Sequence, residues 1–235
     1  MDKKALQLNS RFTLPPNALG YCGKDSAPEK FKACVISGKC GGVTEELKHF
    51  IVLYPYLRTI AKITKLPKFS YKVIESYWFG NEQLKKAKQK DYAVLLGFFE
   101  KQGVPQWLVE ELKNKKPAKF IPTHLFQVLH VGVGRASGSV PYNIETINNC
   151  MIRWGEVTKV SKTAVTVNLN SLKKVKRVFQ VTKTTETLPF IPGFIPNVKE
   201  GDIVTAHWKQ ITKILTQEEA TKIAYWTNKV LEAIN

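Results

Sequence analysis

The chain has 235 residues, of which 43% are hydrophobic and 11% aromatic, so it can bury a core and is not expected to be disordered. Its longest apolar runs fall short of the roughly 20 residues that a membrane span needs, and the N-terminus lacks the apolar stretch of a signal peptide. We therefore expect a cytoplasmic protein that has no membrane partner.

The formal net charge of +17 invites comparison with nucleic-acid-binding proteins. Only five of the 36 basic residues are arginines, however, although guanidinium groups recognise phosphates and bases best. The excess is also spread out, since residues 1–117 carry 21 basic and 11 acidic side chains and residues 150–235 carry 13 and 7. We interpret the charge mainly as solvated surface, and keep nucleic acid and an acidic protein as alternative partners.

Residues 1–42 are rich in glycine, proline and other turn formers, and they contain three of the four cysteines. This composition predicts an irregular, extended arm that carries one short helix, from about Pro28 to Ser37. The cysteines follow no signal peptide and lack the spacing of a disulfide framework, so reduced thiols are expected. Cys34 and Cys40 also lack the C-x-x-C spacing of a zinc site.

Residues 43–149 predict a helical domain. Apolar side chains recur there at intervals of three and four residues, in five segments that begin near Thr44, Tyr71, Tyr92, Pro105 and Pro122. Aromatic stripes at this spacing are more typical of a core than of a cofactor site.

From Cys150 onward the hydrophobic period changes to two, and β-branched residues become frequent. Four or five short strands are expected, followed by a helix that begins at the capping box Thr216–Glu219. Residues 150–235 therefore predict a small β-barrel, OB-like or SH3-like, closed by a C-terminal helix. The fold class is α+β, with an N-terminal helical bundle in front of this barrel.

Thiols and imidazoles are the residues with the clearest chemical potential. A cysteine thiolate is a strong ligand for soft metals, and neutral histidine is a common ligand beside it. His124 and His130 lie on different faces of an ideal helix, and would meet only if their segment is extended or kinked. His207, inside a predicted strand, is interpreted as a buried and hydrogen-bonded imidazole. The candidate binding residues are Cys150, Cys22, Tyr21, His130, His124, Arg135 and Trp154, and the candidate metal ligands are Cys150, Cys22 and His130.

No motif makes a positive case for catalysis. Gly132-x-Gly134 lacks the third glycine of a dinucleotide-binding loop, and the chain contains neither a Walker motif nor a nucleophile elbow.

The segment Cys150-Met-Ile-Arg-Trp-Gly-Glu-Val157 resembles the start of the HypC/HupF chaperones of nickel–iron hydrogenase assembly, with the glycine five positions after the cysteine. The stretch 201–208 and the helix that follows it resemble a later motif of that family and its helical tail. The resemblance implies a barrel, a protein partner, and a Cys150 thiolate that holds iron. In that family the cysteine lies at a free N-terminus, whereas Cys150 is internal.

The whole chain also resembles an uncharacterised bacterial and archaeal family. The matching motifs are Leu-Gly-Tyr-Cys-Gly at 19–23, Tyr-Trp-x-Gly-Asn at 77–81, a histidine-containing segment at 124–130 and the C-terminal residues 233–235.

Three functions follow as hypotheses. The first is a non-catalytic cytoplasmic binding or assembly protein, of the hydrogenase-maturation chaperone type, that docks a protein partner. The second is a basic protein associated with nucleic acid or the ribosome, which its charge suggests. The third is a metalloprotein that uses Cys22, His124, His130 and Cys150.

Overall fold

A computed structural model describes residues 2–25 and 27–234. The helices are α1 (Lys3–Ala18), α2 (Pro28–Ser37), α3 (Val43–Leu47), α4 (Leu53–Thr64), α5 (Tyr71–Trp78), α6 (Asp91–Gln102), α7 (Gln106–Asn114), α8 (His124–Phe126), α9 (Ile144–Cys150) and α10 (Gln217–Ile234). A 3₁₀ helix spans Glu82–Lys86, and a π-helix, Gln127–Gly132, continues α8. The strands are β1 (Arg153–Val160), β2 (Ala164–Val175), β3 (Val178–Pro189), β4 (Ile203–His207) and β5 (Gln210–Ile214).

Helix α1 lies between the helical region and the sheet. Asn9 Oδ1 accepts a hydrogen bond from Trp78 Nε1 at 2.7 Å, and Arg11 Nη1 donates to the Phe194 carbonyl at 2.6 Å. The irregular arm predicted for residues 1–42 is therefore wrong for Lys3–Ala18. The two prolines that suggested a turn lie in the last turns of this helix. The short helix predicted from Pro28 to Ser37 is confirmed.

Cys34 and Cys40 form a disulfide that joins α2 to the loop after it. The expectation of four reduced thiols is wrong for this pair, and a shared metal site of the two is excluded while they are bonded. Cys22 and Cys150 are free thiols.

The helical pattern predicted for residues 43–149 is confirmed, but α9 (Ile144–Cys150) lies in none of the five predicted segments, and the first segment is divided. The segment after Thr44 forms two helices, α3 and α4, separated by residues 48–52. Pro55 explains the break, because it has no N–H to donate and suits the first turn of a new helix better than the middle of a long one.

The five strands form an antiparallel sheet in the order β3-β2-β1-β4-β5. Gly155 allows β1 and β2 to approach closely, since a Cβ there would lie 2.0 Å from the Asn168 carbonyl oxygen. The predicted change from helices to strands, and the terminal helix, are confirmed. The hydrogen-bonded ladders leave the sheet open, and a single parallel bridge connects Phe190 to Ile211.

One hydrophobic core runs through both parts of the molecule. Helix α10 follows the sheet in sequence but packs on the helical part, where the Trp226 indole covers Gly80. The domain boundaries at residues 42 and 149 stay predictions. Among the described residues, no helix combines the length and the apolarity needed to cross a membrane.

Candidate metal centre

Three elements that are distant in sequence bring two imidazoles and one thiol together. His124 begins α8, Cys150 ends α9, and His207 ends β4; they are 4%, 6% and 1% exposed. One ligand atom from each lies within 4.8 Å of the other two. Cys150 Sγ is 3.8 Å from His124 Nε2.

His207 is held in one orientation by α1. Its Nδ1 lies 2.7 Å from the carbonyl oxygen of Phe12 and must donate to it, because a carbonyl only accepts. Pro16 leaves this carbonyl free, since proline has no N–H for the residue four positions earlier. The second nitrogen of His207, Nε2, is buried and makes no hydrogen bond of good geometry among the described residues, although the Cys150 backbone lies near enough to the ring to oppose in part the lowering of its pKa. With the proton on Nδ1, Nε2 carries a lone pair that faces the group.

Both ring nitrogens of His124 contact polar atoms. Nε2 lies 2.7 Å from the Cys150 carbonyl oxygen, and Nδ1 lies 2.9 Å from the Tyr77 hydroxyl. The Tyr77 hydroxyl also contacts Gln127 Oε1, at the start of the π-helix. Because a carbonyl only accepts, Nε2–H donates to the Cys150 carbonyl, and Nδ1 faces the Tyr77 hydroxyl; a cation would bind Nε2 by displacing this proton and its contact with the carbonyl. Histidine ligands commonly have their second nitrogen fixed in this way.

The surroundings of the group disfavour charge as long as no cation is bound. Burial lowers the pKa of His124 to about 4 and that of His207 well below its usual value, so both are neutral near pH 7. Burial also raises the pKa of the Cys150 thiol well above its usual value, an effect that the Trp208 side chain partly opposes. Neutral imidazoles and a thiol that a cation can deprotonate are the protonation states from which a metal site forms.

Trp208 completes the wall beside Cys150. It lies in the turn between β4 and β5, where both Trp208 and Lys209 have left-handed φ angles, of 49° and 58°. Its backbone N–H donates to the Asn149 carbonyl at 2.6 Å, which ties the turn to the end of α9. The buried indole Nε1 makes no hydrogen bond of good geometry in the described part of the chain, although it lies close enough to the Cys150 thiol to favour the thiolate. Backbone strain of this kind persists where surrounding contacts hold it, often at functional sites.

A cavity of about 260 Å³ adjoins the three residues and is lined mainly by apolar and aromatic side chains. Tyr21 and Cys22 line it, on a loop whose carbonyls at Cys22 and Lys24 accept from Asn17 Nδ2 at 2.7 and 2.9 Å. The Tyr21 ring lies 4.6 Å from that of Trp208. Cys22 is exposed as a residue, but the protein atoms around its thiol raise the pKa to about 12.

The other candidate residues lie elsewhere. His130 Nε2 is 2.9 Å from the Tyr92 hydroxyl, and His130 is not a member of the three-residue group. Arg135 forms a salt bridge with Glu111 at 2.6 Å. Trp154 is buried in β1. The structure thus brings Cys150 to His124 and not to His130.

The third member, His207, is not among the metal ligands that the sequence predicts. Its burial was anticipated, but a buried imidazole is usually satisfied on both sides, and this one has a free nitrogen. A usable signal was the spacing Phe12-x-x-x-Pro16, because a proline inside a helix exposes the carbonyl four residues earlier to another donor.

The donor set fits a transition-metal ion. One thiolate and two imidazoles suit zinc, copper and iron, and hard ions such as magnesium prefer oxygen. Three protein ligands leave one position of a tetrahedral ion open, and the adjoining cavity gives that position access to a further ligand.

No curated protein and no solved structure matches the chain. The likeness of residues 150–235 to the HypC/HupF chaperones gains no support from these comparisons. A family model described as a family of unknown function, DUF6390, matches residues 1–235, in agreement with the resemblance of the whole chain to an uncharacterised family. The protein therefore belongs to the DUF6390 family.

Proposed function

We propose that this protein binds one transition-metal ion through His124, Cys150 and His207 and holds it at the inner end of the cavity. The observation that carries the proposal is the buried Nε2 of His207, which makes no hydrogen bond among the described residues, on an imidazole that offers a ligand atom within 4.8 Å of those of His124 and Cys150. Leaving a buried polar atom unsatisfied costs about 1–3 kcal/mol, and a bound cation would remove that cost.

The open coordination position favours a binding or assembly role of the kind expected from the sequence. A metal with all four positions occupied by protein is structural, whereas an open position lets the ion bind a further ligand or pass to a partner. Iron(II) is the ion that the sequence resemblance implies, and zinc(II) and copper(I) fit the same donors. We propose in addition that the protein docks a protein partner, as an assembly role requires.

We also propose that the sheet closes into a small OB-like or SH3-like barrel. The bridge between Phe190 and Ile211 supports it, because it links the end of β3 to β5, the opposite edge of the sheet.

The test is direct measurement of metal binding by the full chain. The protein is purified anaerobically, stripped with a chelator, and titrated separately with zinc(II), iron(II), copper(I) and cobalt(II). We expect one equivalent of at least one ion per chain, and a thiolate-to-cobalt charge-transfer band in the cobalt(II) protein. Cys150→Ser and His207→Ala should each weaken binding on the order of 100-fold.

Two matched variants control for nonspecific loss. Cys22→Ser removes a thiol, and His49→Ala removes an imidazole; both residues line the cavity but lie outside the three-residue group. Both variants should keep the metal stoichiometry and the cobalt band. Less than a tenth of an equivalent of every ion, or unchanged binding by Cys150→Ser, would refute the proposal.

A further inference from the structure

One segment of the sheet is strongly basic. From Val157 to Thr185 the sequence contains seven basic residues and no acidic one. Although ion pairs occur elsewhere, such as Lys213 with Glu219, none of these seven forms one within the described ranges. The seven residues are Lys159, Lys162, Lys173, Lys174, Lys176, Arg177 and Lys183.

Four of them lie at the end of a projecting hairpin. Strand β1 pairs with β2 only as far as Asn170, and beyond it β2 pairs with β3 alone. Asn148 brackets Leu172 with two hydrogen bonds of 2.7 and 2.8 Å. We call residues 173–181 the ribbon; at about 3.3 Å per residue its strands extend roughly 10 Å beyond Leu172.

The ribbon carries charge on every side. Lys173 and Lys174 are consecutive in a strand and therefore point to opposite faces, and Lys176 and Arg177 form the tip. Lys176 has a φ of 56°, a left-handed value that a lysine rarely adopts.

The ribbon also exposes apolar surface between its cations. Val175, Val178 and Val181 are 42%, 40% and 39% exposed, in strands that are otherwise polar at the surface. A surface that combines exposed methyl groups with cations that form no ion pair among the described residues suits a partner that offers both anionic and apolar groups.

We propose that the ribbon binds duplex DNA by entering the major groove. The groove, about 12 Å wide, admits a two-stranded β-ribbon, and its walls place phosphates on both sides of whatever enters. Cations on both faces and at the tip match this geometry, whereas a flat membrane or an acidic protein surface would meet only one face. The exposed valines would contact the thymine methyl groups on the groove floor.

The test is fluorescence anisotropy with a labelled duplex of about two helical turns, titrated with full-length protein between about 50 and 200 mM salt. We expect the logarithm of the association constant to fall linearly with the logarithm of the salt concentration. The slope should be about −0.9 per phosphate neutralised. The combined variant Lys173→Gln, Lys174→Gln, Lys176→Gln, Arg177→Gln should bind at least about 10-fold more weakly, with a slope shallower by about 2 to 4.

A matched control removes four exposed lysines from the helical part: Lys86→Gln, Lys88→Gln, Lys90→Gln, Lys116→Gln. It loses the same net charge and should retain DNA binding within about 3-fold. All eight side chains are exposed, and coincident thermal melts would show that each variant is folded.

Equal losses in the two combined variants would overturn the proposal, because net charge alone would then account for binding. Tighter binding to an RNA duplex of the same sequence would also overturn it, since the deep, narrow A-form groove does not admit the ribbon. So would capture by phosphatidylserine vesicles or polyglutamate in the absence of any binding to DNA.

Discussion

Pro16 sets the orientation of a candidate metal ligand that is far away in sequence. Because residue 16 has no N–H, the Phe12 carbonyl is free to accept from His207 Nδ1, and the lone pair of Nε2 then faces Cys150. A helix-breaking residue in the last turns of α1 thus acts on the site through a backbone group.

Replacement of Pro16 by alanine should separate this effect from helix stability. An N–H at position 16 would compete for the Phe12 carbonyl, so we expect metal affinity to fall about 10-fold, in the range of changes to groups that orient ligands. The thermal midpoint should not fall, since alanine favours a helix more than proline does. Pro15→Ala is the control, because an N–H at position 15 would bond to the Arg11 carbonyl and leave that of Phe12 unchanged. A comparable loss of metal affinity in Pro15→Ala would contradict the explanation.

His130 makes the stability of the protein sensitive to acid. Burial lowers its pKa from the usual 6.5 to about 4, so the folded state holds this imidazole neutral in a range where the unfolded chain protonates it. The stabilisation is complete above about pH 6.5 and is lost as the pH falls from there toward 4, at about 1.4 kcal/mol per pH unit.

The measurement is urea unfolding of the metal-free protein at several pH values from 7 to 5. His130→Gln should lower the free energy of unfolding at pH 7, because the contact with Tyr92 is altered. Its free energy of unfolding should fall less steeply between pH 7 and pH 5 than that of the unmodified protein, because one fewer group takes up a proton on unfolding. Parallel pH profiles for the two proteins would show that His130 is not among the groups responsible.

At the scale of elements, the docking of α10 depends on a position without a side chain. Gly80 follows α5 with a φ of 79°, and a Cβ there would lie 2.2 Å from Trp226 Cγ. Lys222 strengthens the same contact by binding Glu75 at 3.0 Å. The face of α10 and the end of α5 are therefore complementary in shape and in charge.

Gly80→Ala should destabilise the protein by about 2–4 kcal/mol, through a steric clash and an unfavourable backbone angle. Gly97→Ala is the control, since a Cβ there would meet no described atom outside its own helix within 4 Å. That change should stabilise α6 by about 0.5–1 kcal/mol. Chemical unfolding of both variants would check this, and similar stabilities would contradict the packing argument.

Local patterns predicted the types of these elements well, for a physical reason. Helix and strand periods are properties of neighbouring residues, so the helices near Tyr71, Tyr92 and Pro105 and the change of period after Cys150 could be anticipated. Helix α1 was missed because its prolines were weighed as turn formers, without the core contacts that hold the helix. The break before α4 was missed although Pro55 indicated it.

On the scale of the whole molecule, the two predicted regions share one core. Helix α1 contacts the sheet through the hydrogen bonds of Arg11 to Thr212 and of His207 to Phe12, and α10 covers Gly80 in the helical part. A fragment cut at the predicted boundary would lose both sets of contacts, and would leave Trp226 and its neighbours exposed.

We therefore expect residues 150–235, expressed alone, not to unfold cooperatively, whereas the full chain should show one cooperative transition. Thermal melting followed by circular dichroism, together with the dispersion of amide signals in an NMR spectrum, would distinguish the two. A dispersed spectrum and a sharp transition for the fragment would instead support an independent barrel domain.

The sequence by itself determined the α+β class, the order of helices before strands, and Cys150 and His124 as residues of interest. These follow from short-range periodicity and from residue chemistry. Only the tertiary structure decided that His207 rather than His130 joins them, and that Cys34 is bonded to Cys40. Such juxtapositions depend on how remote segments pack, and the free nitrogen of His207 exists only because α1 lies against β4.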